Sequence, residues 1–223
     1  MKKDAIISLP WYKVMYAIAF IGLLPMVRGI STVEEIGLAL DSMMAILACV
    51  FCADTCYQEI QEGRWEILSL KPVKNQKIAV RKRLFVQYLF LMVLVAVSYG
   101  LFMLFQKPYT TGDELSLFLQ TMFAAFVSLF FFAELTIILV DLIGNLWAGI
   151  GAMVLLWFFL VSKAGQSIPI TLQVFSYMNR NLGNPGDLSW IIGKCVALAI
   201  ALLCFICYGR LGSNKKQFST QPS

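Results

Sequence analysis

Six long apolar segments separate the charged stretches of this chain, and they constrain its fold more than any other feature. They cover residues 14–30, 36–57, 84–105, 115–140, 146–161 and 190–208. A helix needs about 20 mostly apolar residues to cross a hydrocarbon core of about 30 Å. Only 14% of the 223 residues are charged, against about 25% in an average soluble domain. We therefore predict an all-α polytopic membrane protein with six transmembrane helices, since the alternating pattern of a membrane barrel is absent from the sequence.

The distribution of basic residues predicts how the six helices are oriented. If both termini are cytoplasmic, every Lys and Arg lies on the cytoplasmic side except Arg28, Lys107, Lys163, Arg180 and Lys194. This excess follows the positive-inside rule. It predicts a multi-pass cell-membrane protein with one transmembrane domain at residues 1–211 and a cytoplasmic tail at 212–223. The net charge of +5 reflects this topology, so no nucleic-acid partner is predicted.

The longest predicted cytoplasmic loop, residues 58–83, begins with an amphipathic helical pattern. Acidic and apolar side chains occupy different faces of this pattern, and Pro72 ends it. The acidic face carries Glu59, Glu62 and Glu66, and the apolar face carries Ile60, Ile67 and Leu68. Such a helix can dock into a groove on another protein or lie on the bilayer surface. The three carboxylates favour a protein partner, because anionic headgroups would repel them.

The sequence EGRWEILSLKP at residues 62–72 is followed by a basic stretch that leads into the third apolar segment. This arrangement resembles the cytoplasmic loop of type-2 ABC permeases, the membrane subunits of ABC exporters. Members of that family place an acidic residue, a glycine, a second acidic residue and a leucine–small residue–proline ending here. Lys71 stands where the family usually has a small or apolar residue. The six segments and the cytoplasmic ends extend the resemblance over nearly the whole chain.

The resemblance implies that this loop is a coupling helix that contacts a separate ATPase subunit. The contact residues implied are Glu59, Glu62, Gly63, Trp65, Glu66 and Leu68. The chain has no G-x-x-x-x-G-K-[ST] phosphate loop, so ATP and Mg are expected in two copies of the partner ATPase, and the chain itself is expected to be neither an enzyme nor cofactor-bound. A second permease chain, identical or related, would complete the path for a peptide, lipid or small hydrophobic cargo.

Residues 162–189, predicted to be extracellular, contain an apolar stretch at 168–178 that is too short to cross a membrane. A turn-rich stretch with two glycines and a proline follows it. The pattern predicts a short outer interfacial or re-entrant helix before the last span. The resemblance to the permease family, which places short outer helices here, favours this interpretation. An ordinary interfacial loop is the alternative.

Two carboxylates within the apolar segments are candidates for a translocation path. A carboxylate inside a membrane costs several kcal/mol unless it is paired or hydrated. Glu134 can line a path for a cationic cargo or act as a hydrogen-bond anchor between helices. Asp41 is the second path candidate, with the outer membrane boundary as the alternative. Asp54 and Asp141 lie near the predicted inner ends of their segments, where an interfacial position suffices.

Small residues and cysteines both invite a functional interpretation. Gly144, Ala148 and Ala152 recur every four residues, which allows close helix packing within the chain or between two permeases. The chain has six cysteines but no histidine, so no metal site is predicted, and cysteine within lipid behaves mainly as a small apolar residue.

Three other classes of function compete with the exporter. An intramembrane protease is excluded by the lack of histidine and of a serine in a nucleophile-elbow context. A substrate-binding membrane component of a vitamin importer, and a non-catalytic membrane sensor or immunity protein, remain as alternatives. An ATPase that co-purifies with the chain would separate the exporter from both.

Overall fold

The computed structural model describes residues 8–55, 73–109, 113–180 and 188–218, with backbone alone at 73–80 and 207–218. Helices and turns account for almost all of these residues. The described ranges contain no strand beyond one isolated bridge between Thr32 and Tyr109. The prediction of an all-α chain is therefore confirmed for the part that the structure describes.

The described helices follow the apolar segments closely. The long ones are α1 (Trp11–Val27), α2 (Val33–Cys52), α3 (Val73–Gln106), α4 (Glu114–Ile143), α5 (Leu146–Val161) and α7 (Ser189–Phe218). Between α5 and α7 lie a four-residue helix, α6 (Lys163–Gln166), and a 3-10 turn, Ile170–Leu172. The third helix begins earlier than its apolar segment, so the basic stretch of the predicted loop 58–83 is already helical from Val73 onward.

Four of the described helices are long and apolar enough to cross a membrane. They are α2, α4, residues 81–106 of α3 and residues 189–206 of α7. The remaining two apolar helices, α1 and α5, have 17 and 16 residues and fall short of the same length criterion. The chain thus has the helices of a membrane protein.

Helices α2 and α4 form the centre of the bundle. Within their apolar windows 72% of α2 and 67% of α4 is buried by the rest of the protein, against 33% for α3 and 28% for α7. Buried small residues allow the two central backbones to approach closely. They include Ala39, Ala45 and Ala48 on α2 and Ala124, Ala125 and Ala133 on α4. The other long helices pack around this pair and expose apolar side chains on their outer faces.

A two-residue turn joins α4 to α5. Gly144 ends α4 in the left-handed conformation with φ 70°, which glycine adopts without strain. Asn145 then begins α5, because its side-chain oxygen accepts from the backbone N–H groups of Trp147 and Ala148. Gly149 packs directly on α4, where an added Cβ would lie 2.4 Å from Val140 Cγ2. The small residues of α5 therefore make at least this one close contact within the chain.

Residues 162–180, which we call the connecting segment, return from α5 into the bundle. Of the predicted helix at 168–178 only Ile170–Leu172 is helical, and turns follow over 174–179. Residues 173–177 are all buried. Residues 173–177 are therefore an irregular stretch of backbone packed against protein, which satisfies the requirement that non-helical backbone within a membrane protein be buried in protein.

Candidate functional site

A buried lysine organises a cluster of polar groups inside the bundle. Lys194 of α7 is fully buried, and its ammonium donates hydrogen bonds to three oxygen atoms. These are Asp41 Oδ1 at 2.5 Å, Ser128 Oγ at 2.6 Å and the backbone carbonyl of Val174 at 2.8 Å. Ser128 in turn donates to Asp41 Oδ1 at 2.6 Å. Each proton of the ammonium thus has an oxygen partner, and we call these four groups the polar node.

The polar node joins α2, α4, the connecting segment and α7, which are distant in sequence. Helix α5 reaches the same region, because the Trp157 indole N–H donates to the backbone carbonyl of Ser42 at 2.8 Å. Interhelical hydrogen bonds of this kind hold membrane helices together where the hydrophobic effect between helices is weak. Helices α2, α4, α5 and α7 therefore all form interhelical hydrogen bonds at or near this node.

Asp41 lies well inside the protein. It is about 12 Å along the α2 axis from Val33, at 1.5 Å per residue, and none of it is exposed. Its depth relative to a membrane, and with it the alternative position at the outer boundary, stays a prediction. The Lys194 ammonium compensates the charge of the carboxylate, and removing one member of such a buried pair typically costs about 3–5 kcal/mol. Removing either Asp41 or Lys194 would therefore leave the other as an uncompensated buried charge.

The connecting segment packs tightly on the first turns of α7. Ser176 Oγ donates to the backbone carbonyl of Trp190 at 2.8 Å. Gly193 leaves room for this approach, since a Cβ there would lie 2.4 Å from the Ile170 carbonyl oxygen and 2.7 Å from Ser176 Cβ. A side chain at position 193 would push the segment away from the helix. The segment and the start of α7 therefore behave as one packed unit.

The same unit meets the central helix pair at Tyr177. The Tyr177 ring packs edge-on against Trp190, with ring centroids 4.7 Å apart. On its other side the ring approaches Gly37 of α2 and Thr121 of α4. A Cβ added at Gly37 would lie 2.6 Å from Tyr177 Cε1 and 2.5 Å from Thr121 Oγ1. Burial raises the pKa of the Tyr177 hydroxyl above its ordinary value, although the guanidinium of Arg180 opposes this effect. The phenol therefore stays protonated and neutral in this apolar contact.

A polar cavity of about 380 Å³ opens beside the connecting segment. It is lined by Gln166, Ile168, Ile170, Gln173, Asn179 and Arg180. The Gln173 amide donates to the carbonyls of Gln166 and Ile168 and accepts from Asn179 Nδ2 at 2.9 Å. Arg180 donates to Gln120 Oε1 at 2.9 Å, and its guanidinium lies 4.3 Å from the centroid of the Tyr177 ring. These bonds support the irregular backbone of the segment from within.

Glu134, the other candidate for a translocation path, forms a hydrogen bond between helices. Its Oε1 accepts from the Tyr88 hydroxyl at 2.6 Å, which joins α4 to α3, and only 1% of the residue is exposed. Phe130 packs edge-on against Tyr88 and contacts Phe205, and the Arg81 guanidinium lies 4.7 Å from the centre of the Phe205 ring. This hydrogen bond has the geometry expected if Glu134 is an anchor between helices, which was one of the two interpretations of Glu134 in the sequence analysis. A role in a path stays a prediction.

A second buried ion pair ties α1 to the end of α2. The Lys13 ammonium donates to Asp54 Oδ1 and, at 2.8 Å, to the backbone carbonyl of Phe51. Tyr12 adds a hydrogen bond to Asp54 Oδ2 at 3.2 Å. Lys13 and Asp54 are 3% and 8% exposed, so neither is a freely solvated charge at the interface. The charge distribution in the sequence places Lys13 on the cytoplasmic side and Lys194 on the outer side. Leaving out both buried lysines removes one basic residue from each side, so the excess of basic residues on the cytoplasmic side is the same.

Ser128 and Tyr88 are not singled out in the sequence analysis, and Lys194 is named there only as a basic residue on the outer side. The available signal was that a lysine within an apolar stretch needs a partner. Nothing in the sequence shows which carboxylate supplies it, because Lys194 and Asp41 are 153 residues apart.

The residues implied for the coupling helix lie outside the described residues. They are Glu59, Glu62, Gly63, Trp65, Glu66 and Leu68. Within the described ranges no group of three His, Cys, Asp or Glu residues could hold a metal ion. Cys49 and Cys52 are buried there among apolar side chains. The site that the structure does place is therefore a network of ion pairs and hydrogen bonds between helices.

Comparison of the chain with family models, with curated proteins and with solved structures finds no match.

Proposed function

We propose that the chain is the membrane-spanning permease subunit of an ATP-driven ABC exporter. The observation that carries the proposal is the sequence at residues 62–72, an acidic amphipathic stretch placed between two long apolar helices. An acidic, protein-docking helix projecting from a bundle is what a permease needs to receive force from an ATPase. The cargo class proposed is a peptide, a lipid or a small hydrophobic molecule.

The proposal includes six membrane crossings with both termini in the cytoplasm. Helices α1 and α5 would span about 26 and 24 Å at 1.5 Å per residue, a little less than a hydrocarbon core of about 30 Å. Local thinning of the bilayer accommodates such a mismatch. Each helix begins with or near an exposed tryptophan, Trp11 and Trp147, and this residue favours the membrane interface. The connecting segment then lies at the outer side.

The mechanism proposed is mechanical. ATP would draw two ATPase subunits together, and each would push on the coupling helix of one permease chain. Two permease chains, identical or related, would then alternate between inward-facing and outward-facing arrangements. The irregular connecting segment fits this proposal because its backbone is held by side-chain contacts that can be exchanged.

The test is to isolate the chain in mild detergent from its native membranes and identify the proteins that accompany it. We expect an ATPase with a phosphate-loop sequence to co-purify with the unaltered chain and to be lost with Glu66→Lys. Glu114→Lys is the matched control, because Glu114 is an exposed glutamate at the first turn of α4, on the opposite side in the proposed topology. Absence of an ATPase under gentle conditions would overturn the proposal, and equal retention by both variants would overturn the assignment of the coupling helix.

A further inference from the structure

We propose that the Lys194–Asp41 ion pair is a latch that closes one end of the helix bundle. The moving part is the lid, defined as residues 170–177 of the connecting segment together with residues 190–194 at the start of α7. The fixed part is the central pair, α2 and α4. As a device of a transport cycle the latch rests on the proposed function, whereas its existence as a closing contact rests only on the geometry.

The lid is held together by contacts that do not involve the central pair. Ser176 donates to the carbonyl of Trp190, and Ile170 and Ser176 meet the bare backbone of Gly193. The Lys194 ammonium adds a hydrogen bond to the Val174 carbonyl at 2.8 Å. The lid can therefore move as one packed body without losing these contacts.

The lid meets the central pair through one charged contact and through ring packing, and Arg180, which follows the lid in the chain, also donates to Gln120 Oε1 of α4 at 2.9 Å. The charged contact is the bonding of Lys194 to Asp41 Oδ1 and Ser128 Oγ, at 2.5 and 2.6 Å. The ring contacts include Phe175 stacked on Phe132 of α4, with centroids 5.4 Å apart. Charge-assisted hydrogen bonds are stronger than neutral ones, and their strength depends sharply on distance and direction. The ion pair is thus the contact most suited to hold the lid in one position and to release it as a unit.

The arrangement of hydrogen bonds also lowers the free-energy cost of separating the lid from the central pair. When the lid separates from the central pair, Lys194 keeps the Val174 carbonyl, which belongs to the lid. Asp41 keeps the hydroxyl of Ser128, which belongs to α4. Each charge therefore retains one polar partner in the released state, and water that enters the opened end can supply the others. A buried pair without such secondary partners would leave two bare charges on opening.

The test measures how fast a water-soluble maleimide labels a cysteine placed behind the lid. Thr121→Cys is the reporter, because Thr121 is 2% exposed and lies beside Tyr177 at the contact between α4 and the lid. The full chain is reconstituted in nanodiscs, and labelling at position 121 is quantified by peptide mass spectrometry. The native cysteines then need no substitution. The latch is removed by Lys194→Met, and by Asp41→Asn with Lys194→Met, a double variant that leaves no uncompensated charge and is expected to fold.

We expect the double variant to label at position 121 at least about tenfold faster than the parent, since a lost tertiary contact raises the population of local opening. The matched control is Lys13→Met, which breaks the other buried ion pair at a site that does not touch the lid. We expect it to lower the melting temperature without accelerating labelling. Unchanged labelling in the double variant, or equal acceleration by Lys13→Met, would overturn the latch. The labelling measurement uses no ATPase. The latch can therefore be overturned while the proposed function holds, and the proposed function can be overturned while the latch holds.

Discussion

The hydrogen bond from Tyr88 to Glu134 shows how single polar side chains secure this bundle. Glu134 is almost fully buried, and the Tyr88 hydroxyl is the donor that its Oε1 accepts from. A buried acceptor that loses its donor costs about 1–3 kcal/mol, more when it is charged. The same carboxylate therefore has a structural role, whatever it does toward a cargo.

We predict that Tyr88→Phe lowers the melting temperature of the detergent-solubilised chain by several degrees, since about 1 kcal/mol shifts the midpoint by about 2–4 °C at this size. Tyr109→Phe is the control, because Tyr109 is 83% exposed. It should leave the midpoint unchanged. Intrinsic fluorescence during heating measures both, and equal midpoints for the two variants would show that the hydrogen bond contributes nothing.

Individual residues also mark the limit of what the sequence could provide. That Asp41 and Glu134 need partners follows from the cost of a carboxylate in an apolar segment. Their partners, Lys194 and Tyr88, lie 153 and 46 residues away along the chain. Such pairs depend on how the helices are arranged around α2 and α4, and hydropathy carries no information on that arrangement.

At the scale of elements, the connecting segment depends on a glycine of the neighbouring helix. A Cβ added at Gly193 would lie 2.4 Å from the carbonyl oxygen of Ile170. This oxygen belongs to the backbone and cannot rotate away as a side chain could. We predict that Gly193→Ala destabilises the chain by about 1–3 kcal/mol, the usual cost of overpacking. Thermal unfolding in detergent is the measurement.

Gly22→Ala is the matched control for that substitution. Gly22 lies within α1, and no atom would lie within 4 Å of an added Cβ. Alanine is the better helix former by about 1 kcal/mol, so this variant should be at least as stable as the parent. A loss at Gly22 equal to the loss at Gly193 would contradict the close contact.

The long helices and the connecting segment differ in how far the sequence predicts them. Apolar runs locate α2, α4 and α5 to within a few residues of their ends, because lipid imposes length and hydropathy on each helix separately. The connecting segment was expected to be a helix over 168–178 and contains only a three-residue helical turn there. Its conformation comes from bonds such as Gln173 to the carbonyls of Gln166 and Ile168, and such local bonds have no periodic signature.

For the whole molecule, the position of the two chain ends checks whether the number of crossings is even, as the six-crossing proposal requires. We predict that a reporter active only in the cytoplasm is active when fused to either end of the chain, and that an export-dependent reporter is inactive at both. If α1 or α5 alone failed to cross, one end would lie outside. A reporter fused within the connecting segment, at Leu172, serves as the control, because Leu172 is 62% exposed and should be on the outer side.

The pairing of Lys194 with Asp41 also has a consequence for biosynthesis. The helix that carries Asp41 leaves the ribosome 153 residues before the lysine that neutralises it, which at about 5–20 residues per second is roughly 8–30 s. During that interval the newly inserted carboxylate has no cation from α7. A chain truncated before α7 would carry this uncompensated group permanently. The last helix to be made thus completes the polar interior of the second helix.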